Sequence, residues 1–219
     1  MLSPSKKVFF ADYVFDVWEN VYEPAEDSFL FADNLTTKQG DYVLDMGTGC
    51  GILGIIAATE ATRVVAVDIN PYAVRCAKEN ARLNHLVNKM LFVQGNLFTP
   101  LRTGERFDLI LFNAPYLPAE REQDDSWLEC AWAGGATGRG IIDLFIHESR
   151  KHLQKDGRIF LMQSTLCGVD ETMLRFKENG LKTEIVAERS LPFFERIVLL
   201  KGIARSFKSQ IDVVQNLHR

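Results

Sequence analysis

Apolar residues arrive along this chain in short continuous runs, separated by segments with helical spacing. Val43-Leu44-Asp45 closes a first run and meets Gly47, Gly49 and Gly51, and residues 52–59 then read as a helix. Residues 63–68 (RVVAVD) form a second run. Asn70-Pro71 follows and opens a helix to about Asn84; Pro71 suits its first turn, where a missing N–H has no intrahelical partner. Residues 90–94 and 107–113 (FDLILFN) are a third and a fourth strand, residues 139–153 a helix, and 158–163 a fifth strand. A helix at 169–178 stops at Gly180, and 183–188 and 196–201 are two final strands around Pro192. Continuous apolar runs are what strands need when both faces of a parallel sheet are covered. The alternation of strand and helix predicts an α/β fold with a mostly parallel seven-stranded sheet, right-handed crossovers and helices on both faces.

Two parts fall outside that rhythm. Residues 1–35 precede the glycine-rich turn, and their apolar stretch is interrupted by Asp12, Asp16 and Glu19, which argues against a secretory signal. Residues 203–219 form a basic extension. The domain reading is therefore an N-terminal segment at 1–35, a catalytic domain at 36–202 and the extension at 203–219.

Composition narrows the function classes. With 219 residues, 47% of them hydrophobic and 25% charged, the chain has the makeup of an ordinary globule. No run of about 20 apolar residues is present for a transmembrane helix. The 25 basic and 29 acidic residues leave a net charge of −4, without the basic footprint of a bulk-electrostatic nucleic-acid binder. Cys50, Cys76, Cys130 and Cys167 form no C-x-x-C pair, and His85, His147, His152 and His218 are scattered, so no metal site is expected. Buried free thiols in a reducing cytoplasm are the expectation.

The chemistry begins at Asp45-Met-Gly47-Thr-Gly49-Cys-Gly51-Ile-Leu-Gly54. From Gly49 it satisfies G-x-G-x-x-G, and Asp68 lies 19 residues later, so a dinucleotide enzyme using NAD is one reading. Asp45 shifts the balance, because an acid beside the first glycine repels a pyrophosphate. It suits a ligand with an ammonium group, such as the methionine part of S-adenosylmethionine. Asp68, ending the next strand, is placed to accept both ribose hydroxyls.

Phe112-Asn113-Ala114-Pro115-Tyr116 ends the fourth strand. Ligands in open α/β sheets bind beyond the carboxyl ends of the strands. Asn113 Oδ1 and the Ala114 carbonyl would each accept one N–H of a substrate NH₂, and both acceptors strengthen as positive charge develops on that nitrogen. Pro115 restricts Ala114 to extended conformations, and Tyr116 would pack on the planar group.

These residues together resemble class I S-adenosylmethionine-dependent methyltransferases that act on planar NH₂ groups. Tyr22-Glu-Pro-Ala-Glu-Asp-Ser28 and Trp132-Ala-Gly134-Gly135-Ala-Thr-Gly138 narrow the resemblance to the HemK family, in its short archaeal and eukaryotic branch, over about residues 8–202. That family methylates the glutamine of the Gly-Gly-Gln motif in class I peptide chain release factors. The resemblance implies a Rossmann-like methyltransferase fold, and a cofactor contacted by Asp45, Gly47, Gly49 and Asp68. It also implies Asn96 and Leu97 flanking the adenine, Ser28 closing over the cofactor, and Asn113, Ala114, Pro115 and Tyr116 holding the glutamine amide. The family usually has Pro at Ala114 and Asp at Asn96, so a less restricted turn and weaker cofactor binding are expected. It further implies a release factor as substrate and a small zinc-ribbon activator protein covering apolar sheet surface, for which Val64–Val67 is one candidate edge.

The Asn-x-Pro-Tyr turn is shared with DNA adenine and some ribosomal RNA guanine methyltransferases, so a nucleic-acid acceptor is the alternative. An NAD oxidoreductase and a non-catalytic cofactor-binding module are more distant ones. The loop from Pro118 to Cys130 favours a protein acceptor. It carries Glu120, Glu122, Asp124, Asp125 and Glu129 against Arg121 alone, where a nucleic-acid enzyme needs cations for phosphates.

Overall fold

The computed structural model describes residues 4–118, 127–192 and 195–204. Its frame is a seven-stranded sheet built from β3 (Tyr42–Met46), β4 (Arg63–Asp68), β5 (Met90–Gln94), β6 (Phe107–Asn113), β7 (Leu153–Ser164), β8 (Leu181–Ser190) and β9 (Arg196–Ala204). The strand order is β5-β4-β3-β6-β7-β9-β8. The first five strands pair in parallel, and β9 runs antiparallel to both β7 and β8. The mostly parallel sheet read from the apolar runs is what forms.

Those runs are apolar because alternate residues feed two separate cores. Val43, Val64, Ala66, Leu109, Leu111, Phe160 and Met162 enter one cluster, with α1 (Glu26–Asn34), α2 (Ile52–Ala57) and α3 (Pro71–Leu83). Leu44, Met46, Val65, Val67, Ile110, Phe112, Ile159 and Leu161 enter the other, with α5 (Gly140–Ser149) and α6 (Val169–Glu178). At about 25 cal/mol per Å² of buried apolar surface, two such layers supply most of the favourable folding energy. β4 lies between β3 and β5 with Val64–Val67 buried, so that segment is core. The free edge on that side of the sheet is β5.

The interrupted apolar stretch near the N-terminus is a hairpin, β1 (Pro4–Phe10) with β2 (Tyr13–Trp18). Phe15 and Val17 alternate into the first core. The outer edge of β2 is completed by helix side chains rather than by a strand. Asn80 of α3 and Asn84, its C-cap, accept from the Asp16 and Val14 N–H groups at 2.8 and 3.1 Å, and their amide nitrogens donate to the carbonyls of the same two residues at 3.0 and 2.8 Å. Asn70 caps α3, accepting from Tyr72 N–H at 2.9 Å with Pro71 at the first helical position, as the sequence predicts. At the other end, β9 extends through Ala204, two residues past the expected boundary at 202, because Ile203 and Ala204 pair with Lys182 and Leu181.

Candidate active site

β3 ends at Met46, and the chain turns into α2 through Gly47, Gly49 and Gly51, with φ of +64°, +55° and +91°. Side chains rarely adopt that left-handed region. Thr48 N–H donates to the Val67 carbonyl at 3.0 Å, and Gly49 N–H to Asp68 Oδ2 at 2.9 Å. Asp68 Oδ1 accepts from Asn70 N–H at 2.9 Å. A carboxylate oxygen accepts more than one bond, so Asp68 keeps capacity toward the cavity that it lines. Burial pushes its acid upward against these backbone donors.

Asp45 sits behind this turn. It is 1% exposed, and its Oδ2 accepts from Thr48 Oγ1 at 2.5 Å and Gly54 N–H at 3.0 Å. A Cβ on Gly54 would stand 2.6 Å from that oxygen, so this glycine makes room for an acid. Burial pushes the Asp45 acid up to about 7; the bonds from Thr48 and Gly54 oppose the rise and the Asp68 charge adds to it. Gly47 and Thr48 line the cavity and Asp45 does not, which makes Asp45 the anchor of the turn.

The reactive turn leaves β6 at Asn113. Asn113 Nδ2 donates to Asp27 Oδ2 at 3.0 Å and to Ser28 Oγ at 3.3 Å. Both of its assigned partners accept, so the amide can point only its oxygen elsewhere. Asn113 Oδ1 is buried and has no hydrogen-bond partner. Asp27 gathers four more donors: Ser28 N–H at 2.6 Å, Tyr116 OH at 3.2 Å, Ser28 Oγ at 3.2 Å and Tyr22 OH at 3.4 Å. Burial and the Asp27 charge push both phenols up, keeping them neutral donors. Asp27 and Ser28 occupy the first turn of α1, where the helix dipole favours a carboxylate.

A second segment supports the turn from behind. Leu117 N–H donates to the Trp132 carbonyl and Gly134 N–H to the Leu117 carbonyl, each at 2.9 Å. A Cβ on Gly134 would lie 2.7 Å from the Pro115 carbonyl, and one on Gly138 would collide with the Tyr116 carbonyl. Cys167 Sγ donates to that same Tyr116 carbonyl at 2.7 Å. The Trp132–Gly138 motif, noticed in the sequence only as a resemblance, thus backs Asn113–Tyr116.

These elements enclose a cavity of about 420 Å³. Ser28, Gly47, Gly49, Asp68, Asn96, Leu97, Asn113, Ala114, Pro115 and Tyr116 all line it, together with residues the sequence reading did not single out, among them Trp127 and Ile141. Asp27 also lines it and was not singled out as a site residue from the sequence. It lies in the Tyr22–Ser28 motif, but nothing local says that it meets Asn113 86 residues later. Of the acidic loop, Glu120, Arg121, Glu122, Asp124 and Asp125 lie outside the described residues; Glu129 and Cys130 are on α4 (Trp127–Trp132). Cys50, Cys76, Cys130 and Cys167 are free thiols.

A family model for ribosomal protein L11 methyltransferase (PrmA) matches residues 28–115, the stretch from Ser28 to the reactive turn. A Methanocaldococcus jannaschii protein named as a protein N5-glutamine methyltransferase is 46% identical over 181 residues, covering 82% of this chain and 90% of that protein. Human methyltransferase HEMK2 is 31% identical over 176 residues, covering 75% of this chain and 81% of its own. The solved structure of Mtq2 from E. cuniculi, in a complex with Trm112 responsible for methylating the termination factor eRF1, superposes with a TM-score of 0.67. It does so at 24% identity over 84% of this chain and 99% of that one, a likeness of fold. Identity at this level, sustained across most of both chains, shows that the chain belongs to the HemK family of protein N5-glutamine methyltransferases.

Proposed function

We propose that this enzyme transfers a methyl group from S-adenosylmethionine to the side-chain nitrogen of the glutamine in the Gly-Gly-Gln motif of a class I peptide chain release factor. The observation that carries the reading is the Asn113 amide. Its NH₂ is held by Asp27 and Ser28, and its buried oxygen is left without a partner at the cavity. A buried acceptor left unpaired costs about 1–3 kcal/mol, which a substrate N–H recovers. The names of the relatives point to the same substrate, and family membership leaves the dinucleotide reading of the glycine-rich turn without support.

The residues present suit the cofactor. The cavity volume falls within the range of about 300–1,000 Å³ usual for small-molecule sites. A Cβ built on Gly49 meets nothing within 4 Å, so that turn faces open space where a ligand can lie against backbone. Asp68 would hold the ribose hydroxyls and Asn96 and Leu97 the adenine. Gly47 and Gly49 would lie along the methionine part, with Asp45 acting through the turn and Ser28 and Asn113 closing the methyl end. When bound, S-adenosylmethionine supplies an electrophilic methyl group. An amide nitrogen is a weak nucleophile because its lone pair is delocalised. Asn113 Oδ1 and the Ala114 carbonyl accept its two N–H groups and leave the lone pair aimed at the methyl. Both bonds tighten as positive charge builds on nitrogen, so the stabilisation is largest in the transition state.

The Mtq2–Trm112 complex supports a partner protein for this chain too, and the family resemblance makes a small zinc-ribbon activator the candidate. The surface open to it is the β5 edge, where Leu91 is 46% exposed, rather than Val64–Val67. Among the described residues no helix is long and apolar enough to cross a membrane. A translation factor as substrate implies action in the cytoplasm. The test is tritiated-methyl transfer into a release factor, its Gln→Ala variant, ribosomal protein L11, DNA and ribosomal RNA side by side. Incorporation confined to the release factor with an intact glutamine is expected; faster incorporation into any other acceptor overturns the assignment.

A further inference from the structure

The reactive turn is flanked by a rim that methyl transfer itself does not use. The bond from Cys167 Sγ to the Tyr116 carbonyl seats the short helical turn Thr165–Cys167 against it. Thr165 Oγ1 accepts from Arg196 N–H at 3.1 Å, so the start of β9 and the preceding Glu195 close the same side. The Glu195 carboxylate acts electrostatically on both the Tyr116 phenol and the Cys167 thiol.

Two features of this rim are incomplete. Leu166, on the turn, is 57% exposed, and Leu117, which lines the cavity, is 36% exposed. Glu195 Oε1 is buried without a hydrogen-bond partner, and so is Glu129 Oε2 on α4. Apolar side chains left in water and carboxylate oxygens left without donors are satisfied by one kind of ligand, which brings apolar groups and N–H groups together. A polypeptide does so. A nucleic-acid strand brings phosphates, which an unpaired carboxylate repels, and it requires cations on the protein.

We propose that Leu166 and Glu195 form the docking surface for the polypeptide that carries the methylated amide, with the Glu195 carboxylate turning outward to accept an N–H from it. The inference rests on the glutamine-amide reading and adds to it where the acceptor protein is gripped. The donor is a main-chain amide or a Lys or Arg side chain near the target, and the experiment separates them. Methylation kinetics are measured with a class I release factor, and with two peptides spanning Gly-Gly-Gln, one keeping its basic residues and one with each replaced by Ser. Glu195→Lys and Leu166→Asp are expected to raise KM for the release factor at least ~10-fold, as for a lost charged partner or apolar contact, with kcat within ~3-fold. Affinity for S-adenosylhomocysteine, followed by calorimetry, stays at the wild-type value, and thermal melts confirm that both variants fold. Glu195→Gln keeps a neutral acceptor. It raises KM by less than ~3-fold if the donor is a main-chain amide, and nearly as much as Glu195→Lys, for the basic peptide only, if the donor is a cation. KM within ~2-fold of wild type in both Glu195→Lys and Leu166→Asp, with the wild type active on the release factor, overturns the docking surface and leaves the glutamine reading standing. A wild-type enzyme that methylates ribosomal RNA and not the release factor overturns both.

Discussion

Two turns line the cavity at the ends of neighbouring parallel strands, and they are fastened in opposite ways. The turn after β3 is held from within: Thr48 and Gly54, three and nine residues on, both donate to Asp45, and Val67 and Asp68 on the next strand complete it. The turn after β6 is held from outside, by Asp27 86 residues before it, Cys167 51 residues after it, and Gly134 and Gly138 against its carbonyls. The difference follows the tasks proposed for the two turns. A cofactor site needs a backbone shape, which a short motif can specify. An acceptor site needs one amide held in one rotation, which takes partners that no local segment supplies. Substitutions in the two turns should therefore act on different steps.

The widest separation is expected at Asn113. Asn113→Ala should lower kcat by at least ~100-fold, as for loss of one transition-state hydrogen-bond partner, while S-adenosylhomocysteine affinity measured by calorimetry stays nearly unchanged. Asp27→Ala, which frees the amide to rotate, should lower kcat by ~10-fold or more in the same pattern. A normal kcat in Asn113→Ala would falsify the amine-holding role.

Asp68→Ala should do the reverse. Loss of charge-assisted bonds to the ribose should weaken cofactor affinity by ~1.5–3 kcal/mol, with kcat at saturating cofactor much less affected. Equal losses in affinity and kcat would show that the two turns do not divide the work.

Asp45 sharpens the comparison through pH. Its acid is raised from 3.8 to about 7 by burial, so between those values the folded chain binds a proton that the unfolded chain has released. Stability from this group is therefore full below about pH 4 and is lost as pH climbs through about 7. Asp45→Asn keeps an acceptor for Thr48 and Gly54 and carries no charge to bury. The variant should gain on the wild type by on the order of 4 kcal/mol between pH 4 and 7, with little further gain above, in urea titrations. A stability gap that is flat from pH 4 to 8 contradicts the buried-acid account.

The smallest effect is expected at Cys167. A thiol is a weak donor, so Cys167→Ala should cost ~1 kcal/mol of stability and reduce kcat only a few-fold. A larger fall in cofactor affinity than in kcat would show that the outer support belongs to the wrong turn.

Much of this arrangement was written in residue order alone. Strands covered on both faces must be continuously apolar, so the central strands announced themselves in the RVVAVD run of β4 and the FDLILFN run of β6, while the edge strand β8 (LKTEIVAERS) is largely polar. Glycines needed for left-handed backbone, Asp68 closing a strand, and Asn113 followed by Pro115 are local signals, and each lines the cavity from the end of its strand. The rest depended on which distant segments meet. The hairpin of residues 4–18 is stabilised by Asn80 of a helix and Asn84, its C-cap, more than sixty residues away. Whether Asp45 faced the ligand or the interior turned on the space left at Gly54. Asp27 was one residue of the Tyr22–Ser28 motif, in a segment for which no helix was predicted, and its role depends on α1 packing beside β6 so that its carboxylate takes the Asn113 amide. Hydrophobic period and turn chemistry are properties of neighbours in sequence. A hydrogen bond across 86 residues exists only once two layers of side chains have been buried against one sheet, and the rotation of the Asn113 amide depends on that bond.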